Sequence, residues 1–161
     1  GLLERLREAG VEQAFATLHV GLDTFRPVET ADPRKHQLQT EYFELSEDTA
    51  EAVSRARAEG LRRVIAVGTT AVRVLEQAAL LSEAAGHPNL RPGSGWADLF
   101  ILPGHRFRLA DAMVTNFHLP RSTLLMLVSA FAGREPVLAA YREAIERQYR
   151  FYSFGDAMLI L

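Results

Sequence analysis

The 161-residue sequence contains no cysteine, one lysine and one tryptophan. Without cysteine, a disulfide framework and a thiolate metal site are both excluded. With Lys35 as the sole lysine, positive charge rests on arginine. Arginine suits bidentate contact with carboxylate or phosphate, although a genome's base composition produces the same bias. The formal net charge is −2, so no overall basic field announces nucleic acid, and any such surface must be a local patch. No apolar run approaches the roughly 20 residues that cross a bilayer, and no signal peptide is expected. Neither a His-x-x-x-His pair nor a Cys cluster suggests a metal. A Gly-x-Ser-x-Gly elbow is missing, which argues against an α/β-hydrolase. The phosphate-binding patterns of P-loop and Rossmann proteins are missing too. No internal repeat or low-complexity tract is present.

Apolar residues make up 48% of the chain, enough for one domain with a core, expected to span residues 1–161. Residues 115–133 carry the most information. Asn116, His118, Arg121, Ser122 and Thr123 crowd together, and from Leu124 to Ala132 only Ser129 is polar. Pro120 favours an extended approach at Leu119. Ser122 or Thr123 is expected to cap the following helix. The free amides there, with Arg121 beside them, make a candidate anion site. Being apolar on all sides, that helix is expected to be central. The alternative is a capped core helix after an ordinary loop.

The remaining pattern alternates strands and helices. Residues 2–9 read as a helix with no capping residue before it, and Gly1 is not an initiator Met. The expectation is therefore a chain cut from something longer. Strands are expected at 13–20, 41–45, 63–67, 96–102 and 156–161, with short extended pieces at 107–109 and 112–115. Ser46 opens a helix that stops at Gly60. Thr70 is expected to cap a helix reaching residue 85, and residues 86–95 form a Gly/Pro-rich loop. A helix over 135–149 closes the helical set. Apolar rather than alternating strands between helices predict a layered α/β/α sandwich with a mostly parallel sheet.

Three strand ends lead into polar segments, at Val20, Val67 and Thr115. Ligands of open α/β sheets bind outside the carboxyl ends of strands. If the three strands are parallel, His19, Arg26, Thr69, Thr70, Asn116, His118 and Arg121 surround one crevice. Gly68-Thr69-Thr70 resembles a phosphate turn; the alternative is an ordinary capped turn. Arg73 and Glu76 stand i, i+3, the spacing of a surface ion pair. His118 is suited to donating, accepting or titrating near neutrality. Residues 149–152, Tyr-Arg-Phe-Tyr, offer rings for base stacking or, as the simpler alternative, for packing against the core.

At these motifs the chain resembles the S-adenosylmethionine:tRNA ribosyltransferase-isomerase family of queuosine biosynthesis. The matching stretches are Leu18-His19-Val20-Gly21 with Thr24-Phe25-Arg26-Pro27-Val28, and Ile65-Ala66-Val67-Gly68-Thr69-Thr70 with Val72-Arg73 and Leu75-Glu76. They continue with Phe100-Ile101, Pro103-Gly104, Asp111, residues 115–120 and residues 122–133. The last is Tyr149-Arg150-Phe151 with Ser153 and Gly155-Asp156-Ala157-Met158. Departures stand at Asp23, Gln39, Ala97 and Phe154, where the family usually or often has Gly, His, Thr and Tyr.

The resemblance implies transfer and isomerisation of the ribosyl part of S-adenosylmethionine onto 7-aminomethyl-7-deazaguanine in tRNA. The product is epoxyqueuosine-tRNA, with adenine and methionine released. It implies S-adenosylmethionine as co-substrate, no separate cofactor, no metal, a cytoplasmic location and a tRNA partner. It also implies an α/β sandwich carrying an inserted β-barrel. Members are about twice as long, so this chain is expected to be a C-terminal half without the barrel, with self-association or the missing half as further partners. His118 and Asn116 are the expected catalytic residues. His19, Arg26, Gly68, Thr69, Thr70, Arg73, Arg121, Ser122 and Thr123 are expected to bind substrate, with a methionine carboxylate or tRNA phosphate at Ser122, Thr123 and Arg121.

Overall fold

The computed structural model describes residues 1–21, 27–60 and 62–161. Arg26, with the Asp23 departure and the Thr24-Phe25 motif, lies outside the described residues. Helix α1 (Leu2–Glu8) has no buried residue. Strand β1 (Ala16–His19) follows, then a 3-10 turn (Pro33–Lys35) that Asp32 caps through the Arg34 amide. Strand β2 (Glu41–Leu45) leads into α2 (Glu47–Glu59), capped by Ser46 and ended by Gly60 in the left-handed region. Strand β3 (Ile65–Val67) runs into α3 (Thr69–Ala84). Next come β4 (Gly93–Ala97), β5 (Ala112–Asn116), α4 (Thr123–Ala132), α5 (Arg134–Glu146) and β6 (Ala157–Ile160).

The strands form two three-stranded sheets, ordered β1-β2-β4 and β3-β5-β6. The fold is α/β, but a mostly parallel sheet is not what the chain builds. Among the described residues only β3 and β5 pair in parallel; β1-β2, β2-β4 and β5-β6 are antiparallel. The reason lies in where the helices lead. Helix α2 carries the chain from β2 in the first sheet to β3 in the second, and α3 carries it back to β4. Each strand-helix-strand unit therefore joins two sheets instead of stacking parallel strands in one.

The central helix is α3, not α4. It packs on strands of both sheets, and residues 72–79 are buried without a break. Helix α4 buries only Thr123, Leu124, Leu127 and Val128, leaving its remaining apolar residues partly exposed. Val72, Val74, Met113 and Val128 have no exposed surface and tie α3, β5 and α4 into one core. The glycines at 93 and 95 read as loop residues, yet they form β4. Cross-strand pairing with β2 overrides their weak strand propensity, and a Cβ placed on Gly95 would meet the Phe43 ring at 3.6 Å.

The closing segment, residues 149–152, divides between the two alternatives. Phe117 meets Tyr141, Tyr149 and Phe151 at ring separations of 5.3, 5.7 and 5.2 Å. Phe117 and Tyr141 are core and Phe151 packs against it, whereas Tyr149 and Tyr152 stay 44% and 39% exposed, the surface position that base stacking requires. Among the described residues no single helix is long and apolar enough to cross a membrane.

Candidate functional site

Strand β3 ends at Val67, and Gly68 turns the chain into α3 with φ 94° and ψ 145°, a conformation that only glycine adopts without strain. The Gly68 amide donates to Val114 O at 2.7 Å. Because β3 and β5 are parallel, this bond sets the start of α3 beside the end of β5. No side-chain cap bond is made at the start of α3: the cap position falls at Gly68, two residues before the expected Thr70, and the helix begins at Thr69. Backbone bonding within α3 starts with Val72 N to Gly68 O at 3.3 Å. The amides of Thr69, Thr70 and Ala71 precede that first bond and are the unfilled donors of an N-terminus. Thr69 is buried and Thr70 half-buried.

At the end of β5, Thr115 points inward and its hydroxyl lies 2.9 Å from His118 Nε2. The His118 amide donates to the Tyr141 hydroxyl at 2.8 Å. Burial pushes the His118 imidazole down to about 4, so it is neutral near pH 7. Asn116 faces the other way, and its Nδ2 donates to Asp156 O at 3.2 Å, latching β5 to the start of β6.

Ser122 is the cap of α4. Its Oγ accepts the Leu125 amide at 3.1 Å and donates to Leu119 O at 2.7 Å. Its hydroxyl is thereby engaged within its own turn. Thr123 begins the helix and is buried. Arg121 is exposed, holds a left-handed φ of 57°, and its carbonyl accepts the Val28 amide at 2.7 Å.

Two of the three expected strand ends thus share an edge: Gly68-Thr69-Thr70 and residues 116–118. The third does not join them as expected, because β1 belongs to the other sheet. His19 points to the outer face of that sheet, where its Nε2 meets Glu44 Oε1 at 3.0 Å and its ring lies across from Tyr42. The backbone after His19 does turn inward, since the Gly21 amide donates to Glu41 Oε1 at 2.9 Å. Glu41 Oε2 in turn accepts from Arg73 Nη1, and this ion pair is buried. Arg73 is therefore no surface partner of Glu76, because the interior of the sandwich closes over both.

Sequence reasoning missed the buried polar row on α3. Glu76, without exposed surface, accepts the amides of Arg108, Leu109 and Ala110 at 2.8–3.3 Å. Gln77 Oε1 accepts the amides of Asp98 and Leu99 at 3.2 and 3.0 Å. Ser82 accepts the Arg91 amide at 3.0 Å. These side chains satisfy loop backbone that would otherwise be buried unpaired. Their signal in the sequence was polar residues embedded in a helix with apolar neighbours on every side. Two surface clefts, one by Phe15 and α2 and one between α2 and α3, contain none of the expected site residues. Among the described residues no cluster of His, Cys, Asp or Glu is arranged to hold a metal.

Two sheets about a central helix, with an uncapped helix start beside the end of a parallel strand, define an α/β protein with a polar donor-rich edge. The chain belongs to the family described as "Queuosine biosynthesis protein", whose model matches residues 1–160. It is 58% identical over 161 residues to the S-adenosylmethionine:tRNA ribosyltransferase-isomerase of Pelotomaculum thermopropionicum, covering all of this chain and 46% of that protein. It is 57% identical over 160 residues to the enzyme of that name from Heliobacterium modesticaldum, covering 99% of this chain and 45% of the relative. The crystal structure of the Thermotoga maritima S-adenosylmethionine tRNA ribosyltransferase superposes with a TM-score of 0.77 at 46% identity, over 99% of this chain and 48% of that one. The chain thus spans about half the length of the relatives it matches.

Proposed function

We propose that this chain supplies part of the site that transfers and isomerises the ribosyl group of S-adenosylmethionine onto 7-aminomethyl-7-deazaguanine in tRNA, giving epoxyqueuosine-tRNA. Its support is the Gly68-to-Val114 bond, which sets the open donors of α3 beside Asn116 and His118 within a family whose relatives carry that name. S-adenosylmethionine acts as co-substrate, without a further cofactor or metal, in the cytoplasm. The 161 residues act as a single α/β unit within a family whose matched relatives are about twice this length.

Within this reading, Gly68, Thr69 and Thr70 present backbone donors to substrate, Arg73 a buried cation, and Arg121, Ser122 and Thr123 the second helix start. A neutral His118 is in the protonation state of a proton acceptor, and its 2.9 Å contact with Thr115 holds the ring. Asn116 contributes through the β5 end it latches. Arg26 is retained as a substrate-binding residue from its motif alone. His19, on the outer sheet face, is positioned for the tRNA rather than for S-adenosylmethionine.

The test is adenine release from S-adenosylmethionine in the presence of tRNA carrying the modified base, with the wild-type chain and His118→Ala. Release by the wild type that drops at least about tenfold in the variant supports the site. A second reading, a tRNA-binding fragment without chemistry, is favoured by the Tyr149 ring, 44% exposed beside the exposed Arg150, a surface pairing suited to stacking on bases. tRNA binding with no adenine release would establish it instead.

A further inference from the structure

Among the buried polar side chains of α3, Arg73 stands apart. Glu76, Gln77 and Ser82 each hold loop amides. Arg73 gives Nη1 to Glu41, while its Nε and Nη2 are buried and have no hydrogen-bond partner. The side chain is only 7% exposed. Unpaired donors on a buried cation are costly, and a native structure that keeps them calls for an explanation. Nε–H and Nη2–H form one edge of the planar guanidinium and point in parallel. That edge matches the two oxygens of a carboxylate.

We propose that the Nε/Nη2 edge of Arg73 is a carboxylate-binding fork, and, resting on the function proposed above, that its ligand is the methionyl carboxylate of S-adenosylmethionine. Arg73 stands one turn inside α3, four residues after Thr69, so both lie on the same face of the helix. Helical side chains lean toward the N-terminus, which directs the guanidinium toward the end of α3 that carries the unfilled amides. Glu41 steadies the cation from the far side, and the Gly21 amide occupies Glu41 Oε1. The ordering of the fork precedes binding, so little side-chain entropy remains to be lost. The carboxylate site thereby moves from the start of α4, where the Ser122 hydroxyl is already engaged, to the interior beside α3. An RNA phosphate offers the same oxyanion chemistry and is the other source.

The experiment is calorimetric titration of the intact chain with S-adenosylmethionine and with its decarboxylated analogue, for the wild type and Arg73→Lys. The expected wild-type preference for the carboxylate-bearing ligand is about tenfold or more. In Arg73→Lys the preference falls toward unity while affinity for the decarboxylated analogue stays the same. Equal wild-type affinities, or a preference kept in the variant, overturn the fork while leaving the proposed function standing. If Arg73→Gln, which removes the charge, instead lowers the salt dependence of tRNA binding by about one counterion, with no change in ligand preference, the fork reads phosphate and the carboxylate assignment is wrong. If neither small ligand binds, the fork and the proposed function fall together. Should the variant not fold, the wild-type comparison of the two ligands decides.

Discussion

The hydroxyl of Thr115 sits 2.9 Å from Nε2 of His118, across the turn where β5 leaves its sheet. The contact holds a buried neutral imidazole in place, and that neutrality has a pH signature. The folded state binds the His118 proton only near pH 4, against an ordinary value of 6.5. Between those values the unfolded chain takes up the proton first, so stability present above about pH 6.5 is lost as pH falls toward 4. The loss is on the order of 3 kcal/mol from a shift of this size. Urea unfolding followed across that window should show it, and His118→Gln should flatten that part of the profile. An unchanged slope in the variant would reject this account.

Glu76 anchors the connection between β4 and β5 through three backbone amides. Glu76→Gln keeps the shape but turns an NH2 group toward donors. A destabilisation of about 2–4 kcal/mol is expected, as for breaking a buried charged hydrogen-bond set. Denaturant midpoints measure it, and hydrogen exchange at the amides of residues 108–110 should accelerate with it. A change within about 0.5 kcal/mol, the range of an ordinary surface substitution, would contradict the anchoring role.

The outer face of β3-β5-β6 carries Ile65, Val67 and Leu159, with Leu161 just beyond the strand, all exposed. A parallel strand pair is normally covered on both faces, and apolar sheet surface of this kind drives association. Sedimentation velocity should show concentration-dependent self-association of the chain. The double substitution Val67→Lys, Leu159→Lys should suppress it without lowering the cooperativity of unfolding. A wild type that sediments as a monomer at every concentration would show that the face does not pair with copies of itself.

Much of the local structure was legible in the residues. Ser46, Gly60 and Ser122 mark helix ends through their own chemistry, a hydroxyl accepting an amide or a glycine taking a left-handed φ. Such signals act within a few residues and survive whatever packs around them. β4 was not legible in the same way, because its glycines become strand only when β2 lies alongside. The failure to see Arg73 as buried has the same origin. Its partner Glu41 is 32 positions away, and nothing in the i, i+3 spacing to Glu76 announces it.

By itself, the sequence determined the helices, the caps at Ser46 and Ser122, the absence of thiol chemistry, and the motif run at 115–133 that marks the family. Only the tertiary structure decided that the strands divide between two sheets, that α3 rather than α4 is central, and that His19 looks outward while Arg73 lies inside. The physical reason is range. Caps and turns are settled by neighbours along the chain. Strand partners, helix burial and the face a side chain presents depend on which distant segment closes over it, and with period-two strands a single register decides every residue's side.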